Sequence, residues 1–464
     1  MKAVVKKKPT GNFFFSTTAR SILCVGLTLV YLVGAFINIP YINNVLSIVS
    51  LTCLMVCMPI IKNNARVVAS TLFIVGAAIL VYDGAGFETW RTGLIYNVNL
   101  IALLLLVPVF GMPLKYGGYY GVLDALVGRY MNNRNRIYWV PALLTHFFGA
   151  LMNMGAMPVV YQLIVRGKLP RAFNSVPASI LRGFSSSIYW SPNMISVGVV
   201  TYYLGISWAE FARYGIFLTV ISLVVGWLVH IFANKKSSVQ LSLSSRNDQI
   251  DIKKLAELII FCTAFIGTII YIATRTSIPV LDAVPLVALV YPVIWLGVLG
   301  RGKAIPPAYT EYVQNVLPRF TSEIVIFMGA GFAATALLSS NAGNKVSVLI
   351  SSIGFPNEYF LCLGILASIV LLGVLGVTPM VTVMAYGAAL QPALLGLTPI
   401  QLALVLVGGW ATSVIISPFT GVTLIMSGLA QKSPFEIVRA NWPFTVLMVL
   451  LIAALPSLIN YFSL

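Results

Sequence analysis

GFSSSIYWSPNMISVGVVTYYLGISWAEFARYG (183–215) and GWATSVIISPFTGVTLIMSGLAQKSPFEIVRAN (409–441) are the two stretches that organise this chain. At a constant offset of 226 and without a gap, Gly183 meets Gly409, Ser187 meets Ser413, and Ser191-Pro192 meets Ser417-Pro418. Further on, Ser207 meets Ser433, Glu210 meets Glu436 and Arg213 meets Arg439. Charged residues are scarce in this chain, so matches at Glu and Arg at one spacing mark an internal repeat. Each Ser-Pro sits inside a long apolar stretch, 173–204 and 399–428. Proline has no N–H and biases the residue before it toward extended backbone, so each stretch is expected to be a broken helix. The Ser-x-x-Glu pairs at 207–210 and 433–436 read as capping boxes that open short helices.

Composition sets the environment. Of 464 residues, 59% are hydrophobic and 9% charged, and the mean hydropathy is +0.94. A soluble domain needs a charged coat that this chain cannot make. Runs such as 97–112 and 443–462 approach the roughly 20 apolar residues that one bilayer crossing takes. Spans are expected at about 20–38, 43–61, 67–83, 96–112, 214–233, 255–273, 283–299, 321–338 and 443–462. The run from Ser21 has no small-x-small cleavage pattern, so it is expected to stay as a helix. The net charge of +17 does not imply nucleic acid, because Lys and Arg fall in short clusters between apolar runs.

Those clusters also give the topology. With the lysine-rich N-terminus in the cytoplasm, 24 of the 29 Lys and Arg fall inside, Arg91, Arg213, Arg275 and Lys345 fall outside, and Arg182 lies within a span. That bias holds only if 139–165 and 359–392 enter the membrane and return on the same side, as two re-entrant hairpins. Both are interrupted near their middles by Gly, Pro, Asn and Thr. Such backbone is tolerated at membrane depth only when buried in protein or lining a wet cavity. Four ordinary spans and one hairpin separate the two broken helices, so the second copy is flipped relative to the first. The expected organisation is N-terminal helices over 1–90, a first repeat over 91–233, a polar cytoplasmic linker over 234–254 and a second repeat over 255–464. Inverted repeats with interrupted helices are the architecture of secondary transporters, with the site near the midplane.

These residues are where the chain resembles the ion transporter superfamily of secondary carriers. That group includes divalent anion/sodium symporters and the large permease subunits of TRAP carriers. GALMNMGAMPVV (149–160) is similar to the first hairpin tip, where the symporters carry Ser-Asn-Thr ahead of a proline. Asn153 and Pro158 match it, whereas Met152 and Met154 depart from it. Ser191-Pro192-Asn193 resembles the Pro-Pro-Asn loop, and LGVTPMVTVMAYGAALQP (375–392) resembles the second hairpin. SPFTGVTLIMSGLAQKSPFEIVRANWPF (417–444) looks most like the C-terminal segment of TRAP large subunits. The resemblance covers roughly 95–464. It implies a homodimeric carrier in the bacterial inner (cytoplasmic) membrane, which moves a small organic or inorganic anion coupled to Na⁺ or H⁺. By position, substrate would meet Asn153, Gly155, Asn193, Thr378 and Thr420. Cations would meet Asn153, Ser187, Ser191 and Asn193 on one side, and Thr378, Ser413, Ser417 and Thr420 on the other.

No catalytic residues, no cofactor and no metal other than Na⁺ are expected, and lipid is the expected surroundings. Neither hairpin and neither break contains Asp or Glu, which disfavours a cation antiporter and suits an anion held by helix ends and hydroxyls. A TRAP-type large subunit is the alternative, dependent on a periplasmic binding protein, with the extra N-terminal spans as a fused small subunit. A membrane-embedded transferase is a distant third, because the outer loops are short and nearly uncharged. Arg182, nine residues before Ser191, reads either as a snorkelling side chain or as an attractor for an anion. His146 reads as a packed neutral imidazole ahead of a proton carrier, and Glu323 as a snorkelling or paired carboxylate. Tyr189, Trp190, Tyr202, Tyr203 and Trp410 are candidates to line a cavity. The five cysteines sit in apolar segments without metal-ligand company, and Cys53 with Cys57, one helical turn apart, reads as packing.

Overall fold

The computed structural model describes residues 17–37, 39–61, 63–131, 134–166, 175–233, 250–276, 278–340, 348, 350 and 352–462. Every regular element among them is helical. Ten helical runs among the described residues are long and apolar enough to cross a membrane. The chain is an all-α polytopic membrane protein. It divides into two compact units, one of residues up to Leu105 with Ile305–Ala336, the other of Leu106–Ala304 with Leu337–Leu464.

In the first unit, helices Thr17–Phe36 and Ile42–Cys57 pack as a pair, and the second of them also contacts Phe87–Ile95. Helix Thr321–Ser339 packs its Phe332 ring against Phe73 at 5.4 Å and Trp90 at 5.6 Å. Gly76 and Gly93 leave the room that this ring occupies. Asn97 Nδ2 donates to Phe327 O at 3.1 Å, and the Tyr312 hydroxyl donates to Leu105 O. These contacts join segments more than 200 residues apart. Glu323 belongs to this unit, in the first turn of its helix.

The second unit carries both hairpin regions and both breaks. Expected spans and observed helices agree within a few residues, with two corrections. The 96–112 span is a short helix, Val98–Leu106, followed by a 3₁₀ turn over Val107–Gly111, because Pro108 ends the regular ladder. The linker is shorter than 234–254. Asp251 caps a helix that starts at Ile252, its carboxylate accepting from Lys254 N–H at 3.0 Å, whereas 234–249 lie outside the described residues. So do the N-terminal lysines and most of the Arg166–Arg171 cluster.

The expected hairpin 139–165 consists of helices Arg134–Met152 and Ala156–Arg166, joined by a 3₁₀ turn over Asn153–Gly155. The expected hairpin 359–392 consists of Glu358–Val374 and Pro379–Ala389. In each pair the arms touch one another. The broken stretches are Ser175–Ile188 followed by Ile195–Leu204, and Pro399–Ile416 followed by Gly421–Ala430. Every residue from Val176 to Ile188 and from Gln401 to Ile416 is buried. These two helices are the centre of the unit. The outer helix Trp208–Ala233 instead exposes Ile216, Phe217, Val220, Val224 and Leu228, a face that only lipid or another apolar surface accommodates.

The local structures recur at the 226-residue spacing. Ile195–Leu204 and Gly421–Ala430 have equivalent limits, and each ends on a left-handed residue, Gly205 (φ 64°) and Gln431 (φ 54°). Helix caps in this conformation favour glycine, because a Cβ crowds the following backbone. Gln431→Gly is therefore expected to raise thermal stability by a few tenths to about 1 kcal/mol, measurable as a higher melting midpoint in detergent.

Candidate transport site

The breaks follow from local chemistry. Ser417, just before Pro418, is extended at φ −81°, ψ 125°, as the proline ring demands. A two-residue turn then leads to the next helix starts, whose caps Met194 (ψ 124°) and Thr420 (ψ 149°) are extended again. Serine follows the same bonding in both copies. Asn193 N–H donates to Ser191 Oγ at 3.3 Å, and Phe419 N–H donates to Ser417 Oγ at 3.3 Å. Ser207 and Ser433 each accept the N–H of the Glu three residues on, at 3.2 Å.

The two broken helices cross at equivalent positions. Ser185 Oγ donates to Ala411 O at 2.8 Å, and Ala411 is the residue 226 positions beyond Ser185. Each broken helix also packs against a glycine of the neighbouring hairpin arm. A methyl group on Gly149 would come within 2.8 Å of Ser187 Oγ, and one on Gly373 within 2.0 Å of Ser413 Oγ. The pairing then exchanges. Ile195–Leu204, after the first break, packs on Pro379–Ala389 of the second hairpin, with Tyr203 against Gly387. Gly421–Ala430, after the second break, packs on Ala156–Arg166 of the first.

Around the first break, the hairpin helix Arg134–Met152 ends with carbonyls that have no intrahelical partner. Ala150 O is satisfied twice, by Ser191 Oγ at 2.8 Å and Asn193 Nδ2 at 3.0 Å. That bond fixes the amide orientation and leaves Asn193 Oδ1 buried without a partner among the described residues. Ser187 Oγ donates within its own helix to Phe184 O at 2.7 Å. Asn153 sits at φ 55° in the turn and its Oδ1 accepts from Met154 N–H at 2.8 Å, with no bond to Ser191 or Asn193. Gly155 is exposed.

Around the second break, Ser413 Oγ donates to Ile369 O at 3.3 Å and Thr420 Oγ1 to Val414 O at 2.6 Å. Thr378 begins helix Pro379–Ala389 without a side-chain cap bond. Its Oγ1 is buried with no partner, and so is Thr382 Oγ1 one turn later. Thr382 is a further candidate, which its sequence position, four residues after Thr378, signals only once the hairpin helix is known. Helices Ile195–Leu204 and Pro379–Ala389 both lack a side-chain cap, so their leading N–H groups and positive dipole ends carry no side-chain acceptor from the cap residue.

A cavity of about 420 Å³ lies on the far side of the first break, lined by Pro192, Val197, Thr201, Tyr202, Trp208 and Thr276 among others. It reaches the break through Pro192 alone, so the clustered polar groups, not this cavity, define the candidate site. Of the aromatic candidates, Tyr202 lines the cavity and Tyr189 is fully buried. His146 is a packed imidazole. Trp190 Nε1–H donates to its Nε2 at 3.4 Å, so its Nδ1 carries the proton toward Ser186 Oγ at 2.8 Å, whose own hydroxyl donates to Gly183 O. Arg182 neither snorkels nor faces the break; it is buried against main-chain carbonyls and Asn441.

An all-α bundle of membrane-spanning helices with buried polar breaks is the architecture expected of a secondary membrane transporter. A family profile described as "Tripartite ATP-independent periplasmic transporter, DctM component" matches residues 190–460, and the chain belongs to that family. No curated protein matches the chain. Among solved structures it is similar to the YdaH transporter of Alcanivorax borkumensis, at 14% identity and a TM-score of 0.57, covering 80% of this chain and 88% of that one. It is also similar to Neisseria gonorrhoeae MtrF, described within a class of antimetabolite efflux pumps, at 14% identity and a TM-score of 0.51, covering 78% and 82%. At that identity the likeness concerns the fold.

Proposed function

We propose that this chain is the large permease subunit of a binding-protein-dependent carrier, moving a small anion together with Na⁺ or H⁺. The observation that carries the reading is the set of buried oxygens without partners, Asn193 Oδ1, Thr378 Oγ1 and Thr382 Oγ1, at the first break and the second hairpin. Leaving such groups unpaired costs about 1–3 kcal/mol each, so a ligand that binds them recovers that energy. Amide and hydroxyl oxygens suit a hard cation, and the uncapped helix starts beside them suit an anion. In this reading the two copies form an inverted repeat, the hairpins are re-entrant, and alternating access moves one copy against the other. Family membership favours the binding-protein-dependent form over a self-sufficient carrier, with residues 1–90 taking the place of the small membrane subunit.

The test is uptake of a labelled panel of dicarboxylates, sulfonates and inorganic anions into proteoliposomes under an imposed Na⁺ or proton gradient. Each solute is offered with and without its periplasmic binding protein. Gradient-driven uptake that needs the binding protein but no further membrane subunit is the expected result. Uptake by the chain alone would restore the self-sufficient carrier, and ATP-driven uptake without a gradient would sink both.

A further inference from the structure

Three of the five cysteines converge, although spacing alone marks Cys53 and Cys57 as packing. Cys24 comes from Thr17–Phe36, and Cys53 and Cys57 come from one face of Ile42–Cys57. Their sulfurs are 3.9 Å apart for Cys24 and Cys53, 4.0 Å for Cys53 and Cys57, and all within 4.8 Å of one another. All three are buried and none is in a disulfide. We propose that Cys24, Cys53 and Cys57 form a three-thiolate site for monovalent copper.

Size and donor type lead to this ion. A point equidistant from three sulfurs at these separations lies roughly 2.3–2.5 Å from each, which is a metal–thiolate bond length. Thiolates are soft ligands that select soft ions. Zinc takes a fourth ligand in its closed sites, and among the described residues no His, Asp or Glu joins this group. Monovalent copper is content with three sulfurs. Packing alone explains a buried cysteine as a small apolar side chain, but it does not require three sulfurs from two helices to share one centre.

Charge and access are also provided for. Binding breaks three S–H bonds, forms three Cu–S bonds and releases three protons to water; copper arrives as Cu(I), so no electron moves. The complex carries two net negative charges. Arg20 stands one turn before Cys24 on the same helix and offsets one of them. Cys57 is the last residue of its helix, followed by exposed Pro59 and Ile60, so the site lies within a turn of the helix end.

The experiment is anaerobic titration of the full-length, detergent-purified chain with Cu(I) held by a competing chelator. One Cu(I) per chain is expected, with three sulfur ligands at about 2.3 Å by X-ray absorption. Cys24→Ala is expected to weaken binding at least 100-fold, while Cys262→Ala combined with Cys362→Ala leaves it unchanged. Should Cys24→Ala misfold, Cu(I) protection against maleimide in the wild-type chain, mapped by mass spectrometry, decides the same point. Protection is expected at Cys24, Cys53 and Cys57 together. Failure of the folded chain to hold Cu(I), binding that survives Cys24→Ala, nitrogen ligation, or protection missing at any of the three would overturn the site.

Discussion

Arg182→Ala is expected to destabilise the protein by about 3–5 kcal/mol, the scale on which breaking a buried charged network operates. Arg182 is only 4% exposed. Its Nε donates to Asn441 Oδ1 at 3.1 Å, Nη1 to Gly226 O at 3.0 Å and Nη2 to Ala440 O at 2.8 Å. The guanidinium also lies over the Phe444 ring at 5.4 Å. Among the described residues no carboxylate pairs with it, so its charge is held by carbonyl dipoles and the Phe444 ring face. One side chain thus ties the first broken helix to Trp208–Ala233 and to the segment that opens the last helix. Removing it takes a donor from buried Asn441 Oδ1 and Gly226 O and from half-buried Ala440 O, and a buried acceptor left unsatisfied costs about 1–3 kcal/mol. Arg182→Lys should recover less than half of the loss, because an ammonium cannot span three elements as a planar fork does. Gly226 belongs to the same arrangement, since a methyl there would come 2.1 Å from the Tyr138 hydroxyl. Thermal unfolding in detergent reads the effect. A melting midpoint unchanged in Arg182→Ala, with transport of anions weakened instead, would return the residue to the role of an anion attractor.

How much of this was legible beforehand depends on the range of the signal. The Ser-Pro breaks act on neighbouring backbone, and the observed helix ends at Ile188 and Ile416 follow from them. The 226-residue spacing is a property of the string, and the capping serines and left-handed turns recur along it. The uses of Arg182 and Cys24 were not legible. Arg182 finds partners 44, 258 and 259 residues away, and Cys24 meets a cysteine 29 residues on across two helices. No periodicity encodes such meetings. The packing of Ile305–Ala336 with the N-terminal helices was hidden for the same reason, because an apolar helix does not declare which apolar neighbour it chooses. Within the site, the motif positions Asn193 and Thr378 hold buried unpaired oxygens, while Asn153 spends its side chain on its own turn. A motif position gives proximity to the break; only the hydrogen-bond inventory separates a group that holds the scaffold from one left open.

That distinction gives the prediction with the largest expected effect on activity. Thr382→Val keeps the shape of the side chain and deletes a buried hydroxyl that has no partner. Removing an unsatisfied polar group does not cost the fold its energy, so stability is expected to hold or to rise by up to about 1 kcal/mol. Transport is expected to fall at least tenfold if, as proposed, this oxygen serves the ligand. Thr378→Val should behave alike. Asn193→Ala should differ in part, since its Nδ2 also satisfies Ala150 O: it loses transport and some stability together. Ser191→Ala, whose hydroxyl bonds the same carbonyl, should lose about 1 kcal/mol of stability. Native proteins keep such locally unfavourable groups where function requires them. The decisive comparison is therefore stability against uptake across these four variants. If Thr382→Val and Thr378→Val melt higher and transport as well as wild type, the unpaired oxygens are defects rather than ligands, and the site lies elsewhere along the junction of the two breaks.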